Sequence, residues 1–229
     1  MILTSQQKRI CEQVINAFES GTATGRYGSI SIFDDGPHRV RQISYGRSQT
    51  TEYGNLEELL QMYVESDGIY SSEISPYLEK IGIIPLVDDS AFKKLLKDAG
   101  NKDPIMKQVQ DQFFDLRYFQ PAMKWADDNG FVLPLSALVV YDSFIQSGSI
   151  LMFLRKRFPE NSPVNRGDEK EWISQYVETR HNWLATHSSR LLQNTVYRTE
   201  CFKQEIQKEN WDMDLLPVRA HDVDIFGTN

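Results

Sequence analysis

Apolar residues recur at helical spacing in the opening stretch LTSQQKRICEQVINAFES, putting Ile10, Cys11, Val14, Ile15 and Phe18 on one face. Gly21 is a natural stop for that helix. The pattern then becomes alternating in YGSISIF and VRQISYG, which DDGPHR separates, so a hairpin with a Pro/Gly turn is predicted. Beyond TTEYGN the helical period returns and persists. It predicts helices over 56–66, 71–82, 90–100, a long one over 104–130, and further ones over 134–148, 150–158, 168–187 and 188–211. Pro121 should kink or break the long helix, because proline lacks the N–H that an inner turn needs. PLSALVVYDSFIQSG is nearly all apolar and should be the buried central helix. PENSPVNRGDE, at 159–169, reads as a loop, and the tail from Leu215 shows no clear period. The fold class is therefore mainly α with one small antiparallel β-sheet near the N-terminus (α+β).

Composition narrows the function classes. The 229 residues suffice for one large domain or two small lobes, and 40% hydrophobic with 25% charged residues is ordinary for a globular chain. No run approaches a membrane span of about 18 apolar residues. The start MILTSQQKRICEQ lacks a signal-peptide pattern, so the protein acts where it is made, or is a mature form or domain of a longer export product. A net charge of −7 argues against a nucleic-acid partner and suits a cationic or neutral ligand. Cys11 and Cys201 are expected as buried free thiols, with a single disulfide as the alternative. His38, His181, His187 and His221 have no metal-ligand spacing, and the glycine- and serine-containing stretches match no P-loop, dinucleotide fingerprint or nucleophile elbow. YVESDGIYSSE lacks the spaced oxygen ligands of a calcium loop.

The candidate chemistry lies in NAFESGTATGRYGSISIFDDGP. Glu19 continues the line of Cys11 and Ile15 and occupies the last helical turn. Desolvation and the helix dipole would both raise its pKa there, which suits a general acid. The plainer reading is a solvated glutamate at a frayed helix end. Asp35 ends a strand before Gly36 and Pro37, where turn chemistry is the plainer reading and a catalytic carboxylate the sharper one. In SYGRSQTTEYGN, Arg47, Gln49, Thr50, Thr51, Glu52 and Asn55 crowd polar groups between a strand and a helix. Thr50 or Thr51 could cap that helix, but the density also suits a sugar-binding wall with Tyr45 or Tyr53 as an aromatic platform.

The spacing Glu19, Tyr27, seven residues, Asp35, then Tyr45-Gly46, resembles the signature of the chitosanases of glycoside hydrolase family 46, in the lysozyme-like superfamily. The Tyr-to-Asp spacing selects Asp35 over Asp34. ALVVYDSFIQSG resembles that family's central helix, and YVETRHNWL supplies an arginine of the kind that pairs with its aspartate. The resemblance implies a two-lobed lysozyme-like fold with a central cleft, residues 1–229 forming one domain. It implies Glu19 as general acid, Asp35 as general base, and Asp142, Arg180 and Arg198 as structural support. Tyr27, Tyr45, Arg47, Gln49, Thr50 and Glu52 are the candidate substrate-binding residues. Neither a metal nor an organic cofactor is implied.

The expected activity is inverting hydrolysis of β-1,4 bonds in an amino-sugar polymer, chitosan first, by an enzyme secreted or delivered outside the cell. A peptidoglycan muramidase and a non-catalytic glycan-binding module are the competing readings. The stretch DGPHRVRQISYG departs from the family's basic-Gly-Thr/Ser element by one extra residue and a missing hydroxyl. Gln42, Ser44 and Thr50 are accordingly alternatives for holding the attacking water.

Overall fold

The computed structural model describes residues 2–47 and 49–228. The chain divides into two compact units: Met1–Thr24 with Leu116–Asn229, and Gly25–Asp115.

The first unit begins with helix α1, Ser5–Ser20. Thr4 and Gln7 form a reciprocal capping box at its start, and Gly21 ends it at φ 69°, its N–H donating to the Ala17 carbonyl. The apolar face read from the sequence, Ile10 to Phe18, is buried. The chain returns to this unit through α6 (Gln120–Asp128), α7 (Pro134–Ser147), α8 (Met152–Arg155), α9 (Glu169–Ala185), α10 (Arg190–Gln193) and α11 (Val196–Gln207). Helix α7 is buried without interruption from Pro134 to Ser143. Trp172 of α9 packs against Phe131, Phe158 and Tyr176 at ring separations of 4.9, 5.3 and 5.2 Å.

The second unit holds the antiparallel sheet of β1 (Ile30–Phe33), β2 (Gln42–Tyr45) and β3 (Thr50–Thr51), with β2 in the centre. Helices α2 (Leu56–Glu65), α3 (Ser71–Leu78), α4 (Ser90–Lys102) and α5 (Pro104–Phe114) complete it. Ile43, Tyr45, Leu59, Phe92 and Phe113 belong to its core.

The interruption expected in the long helix is present, while other predicted elements came out differently. The long helix is interrupted by a π-helical stretch, Asp115–Phe119, which ends just before the first turn of α6, where Pro121 lies. Widening that turn accommodates a residue that has no N–H to donate. The last predicted helix splits into α10 and α11 at Asn194 and Thr195. There the Thr195 hydroxyl donates to the Leu192 carbonyl and accepts from Gln146, both at 2.7 Å, competing with the helical ladder. The tail forms a hairpin, β4 (Val218–Ala220) with β5 (Val223–Ile225), in which Val218 pairs with Ile225 and both are buried. Three-residue strands are too short to show a period. Cys11 and Cys201 are buried free thiols, and burial, reinforced by Glu12, pushes the Cys11 thiol up to about 12.

Candidate active site

Glu19 sits in the last turn of α1, and its carboxylate accepts a hydrogen bond from Nη2 of Arg198, in the first turn of α11. Arg198 Nη1 donates to Asp142 Oδ1 at 2.7 Å. The other oxygen of Asp142 accepts from Arg180 Nη2, also at 2.7 Å. Arg180 donates further to Gln146 and, at 3.1 Å, to the Ser143 hydroxyl, which also accepts from Tyr176. Four helices, α1, α11, α7 and α9, thus contribute one charge each to an alternating series.

Exposure along that series rises from 0% at Asp142 and 2% at Arg180 to 6% at Arg198 and 19% at Glu19. Only the glutamate end is appreciably open to solvent. An isolated carboxylate at Asp142 would be costly in an apolar helix, and two guanidinium partners on separate oxygens offset that cost. Burial works against the charge on Arg198, but the carboxylates of Asp142 and Glu19 outweigh it and hold the guanidinium above its ordinary range.

In the second unit, the register of the β1–β2 pair sets the surroundings of Asp35. Phe33 lies opposite Gln42, so the Gln42 side chain reaches the residue two beyond Phe33. Its Nε2 donates to Asp35 Oδ1 at 2.8 Å, while its Oε1 accepts from the Tyr53 N–H at 3.1 Å. Gln42 is buried and Asp35 is exposed, so a fixed amide holds a carboxylate that faces water. Gln42 was one of three alternatives for positioning water, and the structure places it on Asp35 itself.

A second cluster in this unit gathers Tyr27, Arg47, Gln110 and Asp111. The Tyr27 hydroxyl donates to both Asp111 oxygens, at 2.9 and 3.1 Å, and Arg47 Nη1 donates to the same carboxylate. Gln110 accepts from the Arg47 N–H at 2.9 Å and donates to the Tyr27 carbonyl at 2.9 Å. The approach requires Gly46: its φ is 75°, and a Cβ there would stand 2.4 Å from Gln110 Oε1. Gln110 and Asp111 were not singled out from the sequence. The available signal was a glutamine among the buried apolar positions Met106, Val109, Phe113 and Phe114 of α5.

The expected sugar-binding wall needs correction. All four β2 residues are buried, so neither face of that strand is open to a sugar. Tyr45 is a core residue whose hydroxyl donates to the Leu96 carbonyl at 2.7 Å, not an aromatic platform. Glu52 is also buried, and its two oxygens accept the N–H groups of Ile43 at 3.1 Å and Leu86 at 2.6 Å. Thr50 is buried in β3, where it pairs with Tyr45. Arg47 is buried with its charge on Asp111. Gln49, half-buried, turns back to donate to the Gly46 carbonyl at 3.0 Å. Neither Thr50 nor Thr51 caps α2, whose N-cap is Asn55.

Among the described residues, no group of three or more His, Cys, Asp or Glu is arranged to hold a metal ion, and no helix is long and apolar enough to cross a membrane.

The profile of glycosyl hydrolase family 46 matches residues 13–217. The chain is 28% identical over 231 residues to the chitosanase of Bacillus subtilis (strain 168), covering 93% of this chain and 81% of that one. It superposes on the family 46 chitosanase of Gynuella sunshinyii in complex with chitotetraose with a TM-score of 0.79, at 26% identity, covering 97% and 98% of the two chains. The native chitosanase of Bacillus subtilis MY002 gives a TM-score of 0.81 at 24% identity, covering 98% and 100%, and supports the fold.

Proposed function

Because this chain belongs to glycosyl hydrolase family 46, and is thus a glycosidase, we propose that it hydrolyses β-1,4 bonds of chitosan with inversion. Glu19 acts as general acid and gives its proton to the leaving glycosidic oxygen. Asp35 acts as general base on a water that attacks the anomeric carbon from the opposite face of the ring. The observation that carries the assignment of Glu19 is its position as the solvent-reaching end of an otherwise buried charge series. Arg180 and Arg198 hold Asp142, and through Arg198 the acid is held in place. Gln42 does the same for the base, orienting one Asp35 oxygen and leaving the carboxylate accessible to water.

Chitosan is favoured over other polymers by two considerations. The similar Gynuella sunshinyii enzyme was solved with chitotetraose, and the net charge of −7 would speed capture of a polycation. Residues 1–229 serve as one catalytic domain. A polymeric substrate places the working enzyme outside the cell.

The test is reducing-end release from soluble chitosan and from purified peptidoglycan in parallel, with Glu19→Gln and Asp35→Asn as controls. Release from chitosan alone, abolished by either substitution, is the expected result. The first product detected by proton NMR should be the α-anomer. An initial β-anomer would overturn inversion, release from peptidoglycan alone would make the enzyme a muramidase, and binding without release would make it a glycan-binding module.

A further inference from the structure

The contacts made by Tyr197 address a problem created at the end of α1. The last carbonyls of a helix have no intrahelical partner, and the turn that carries them frays unless other groups take their place. In α1 the Ala17 carbonyl receives the Gly21 N–H at 2.9 Å, and the Asn16 carbonyl receives the Ser20 hydroxyl at 2.8 Å. The Phe18 carbonyl receives the hydroxyl of Tyr197, at 2.9 Å. Phe18 immediately precedes Glu19, and Tyr197 immediately precedes Arg198. Two consecutive residues of α11 therefore grip two consecutive residues of α1, one through the backbone and the other through the carboxylate.

Packing stiffens the grip. The Tyr197 ring meets the Phe18 ring edge-on at 5.6 Å, and the Arg198 guanidinium lies 5.3 Å from the centre of the Phe18 ring. The Tyr197 ring also meets the imidazole of His221, with ring centres 4.4 Å apart.

We propose that Tyr197 is a positioning residue for the general acid: its hydroxyl fixes the height of the α1 terminus so that Glu19 stays in register with Arg198. The proposal rests on the reading of Glu19 as the acid. Tyr197 touches neither substrate nor reacting atoms in this scheme, and its hydroxyl acts through the Phe18 carbonyl. Without the hydroxyl, the last turn of α1 loosens and the carboxylate drifts from the guanidinium.

Tyr197→Phe is the test, because it removes one oxygen and keeps the ring on Phe18. A misplacement of about 1 Å can cost on the order of 100-fold in rate, and a partial loosening should lower kcat about 10-fold. KM should stay within about two-fold, because ground-state binding is untouched. Amide exchange at Ser20 and Gly21 should quicken in the same variant. The control is Tyr63→Phe in the other unit, which removes a hydroxyl bonded to Asp103 at 2.6 Å and should lower Tm without lowering kcat or quickening exchange at Ser20 and Gly21.

Wild-type kcat in Tyr197→Phe, or a lower kcat with unchanged amide exchange at Ser20 and Gly21, overturns the positioning role while leaving the acid assignment intact if Glu19→Gln is inactive. Turnover retained by Glu19→Gln overturns the acid assignment and this proposal with it.

Discussion

Asp142→Asn tests whether the charges behind Glu19 act as one buried network. The native carboxylate is fully buried and receives Arg180 and Arg198 on separate oxygens, each at 2.7 Å. Asparagine preserves the shape but keeps only one acceptor oxygen and turns an NH2 group towards the other guanidinium. Two nearly buried cations then share no anion between them. Breaking a buried pair costs about 3–5 kcal/mol, whereas an exposed pair is worth about 0–1 kcal/mol. At about 2–4 °C per kcal/mol for a chain of this size, Tm should fall by roughly 6–20 °C. Calorimetry and urea unfolding at neutral pH, each repeated in about 1 M salt, provide the assay. At that ionic strength the Debye length is about 3 Å, so exposed pairs are screened and a buried network is not. A loss below about 1 kcal/mol, or one that vanishes in high salt, would refute the reasoning.

Gln42→Leu removes the amide that holds Asp35 and should lower kcat about 10-fold with KM nearly unchanged. Steady-state kinetics on chitosan check it, and an unaltered kcat would show that Asp35 needs no such support. The buried thiols predict a loss of stability in alkali. Cys11 ionises at 9.0 in the ordinary case and is pushed up to about 12 chiefly by burial, so the unfolded chain releases this proton first. Its contribution is fully present below pH 9.0 and is lost as pH rises towards about 12. The slope is about 1.4 kcal/mol per pH unit for each such thiol. Cys201 is shifted in the same direction, mainly by burial. Cys11→Ala should remove one share of that slope in urea titrations at several pH values, and an unchanged slope would contradict it.

Much of the architecture was legible because helix periodicity and caps are local. The buried face of α1, its stop at Gly21 and the uninterrupted burial of α7 follow from spacing alone. The β1–β2 hairpin was legible for the same reason. The candidate site was legible only in part. Asp142 declared itself as a charge in an apolar helix, which needs a partner wherever that partner lies in the sequence. The assignment of Tyr45 and Glu52 to a sugar-binding wall did not hold, because a run of polar groups along the sequence does not show which of them face water, and tertiary packing buries both side chains.

Residue order by itself determined the helix-rich class, the small sheet, and the presence of carboxylates at a helix end and a strand end. Hydrogen-bond periods, caps and turn preferences act over a few residues, and such short-range terms can be read along the chain. Tertiary structure alone decided which side chains hold those carboxylates. Arg198 reaches Glu19 across 179 positions, Arg180 reaches Asp142 across 38, and Arg47 meets Asp111 across 64. No local preference encodes those meetings, because a buried charge selects its partner by position in space after the helices have packed.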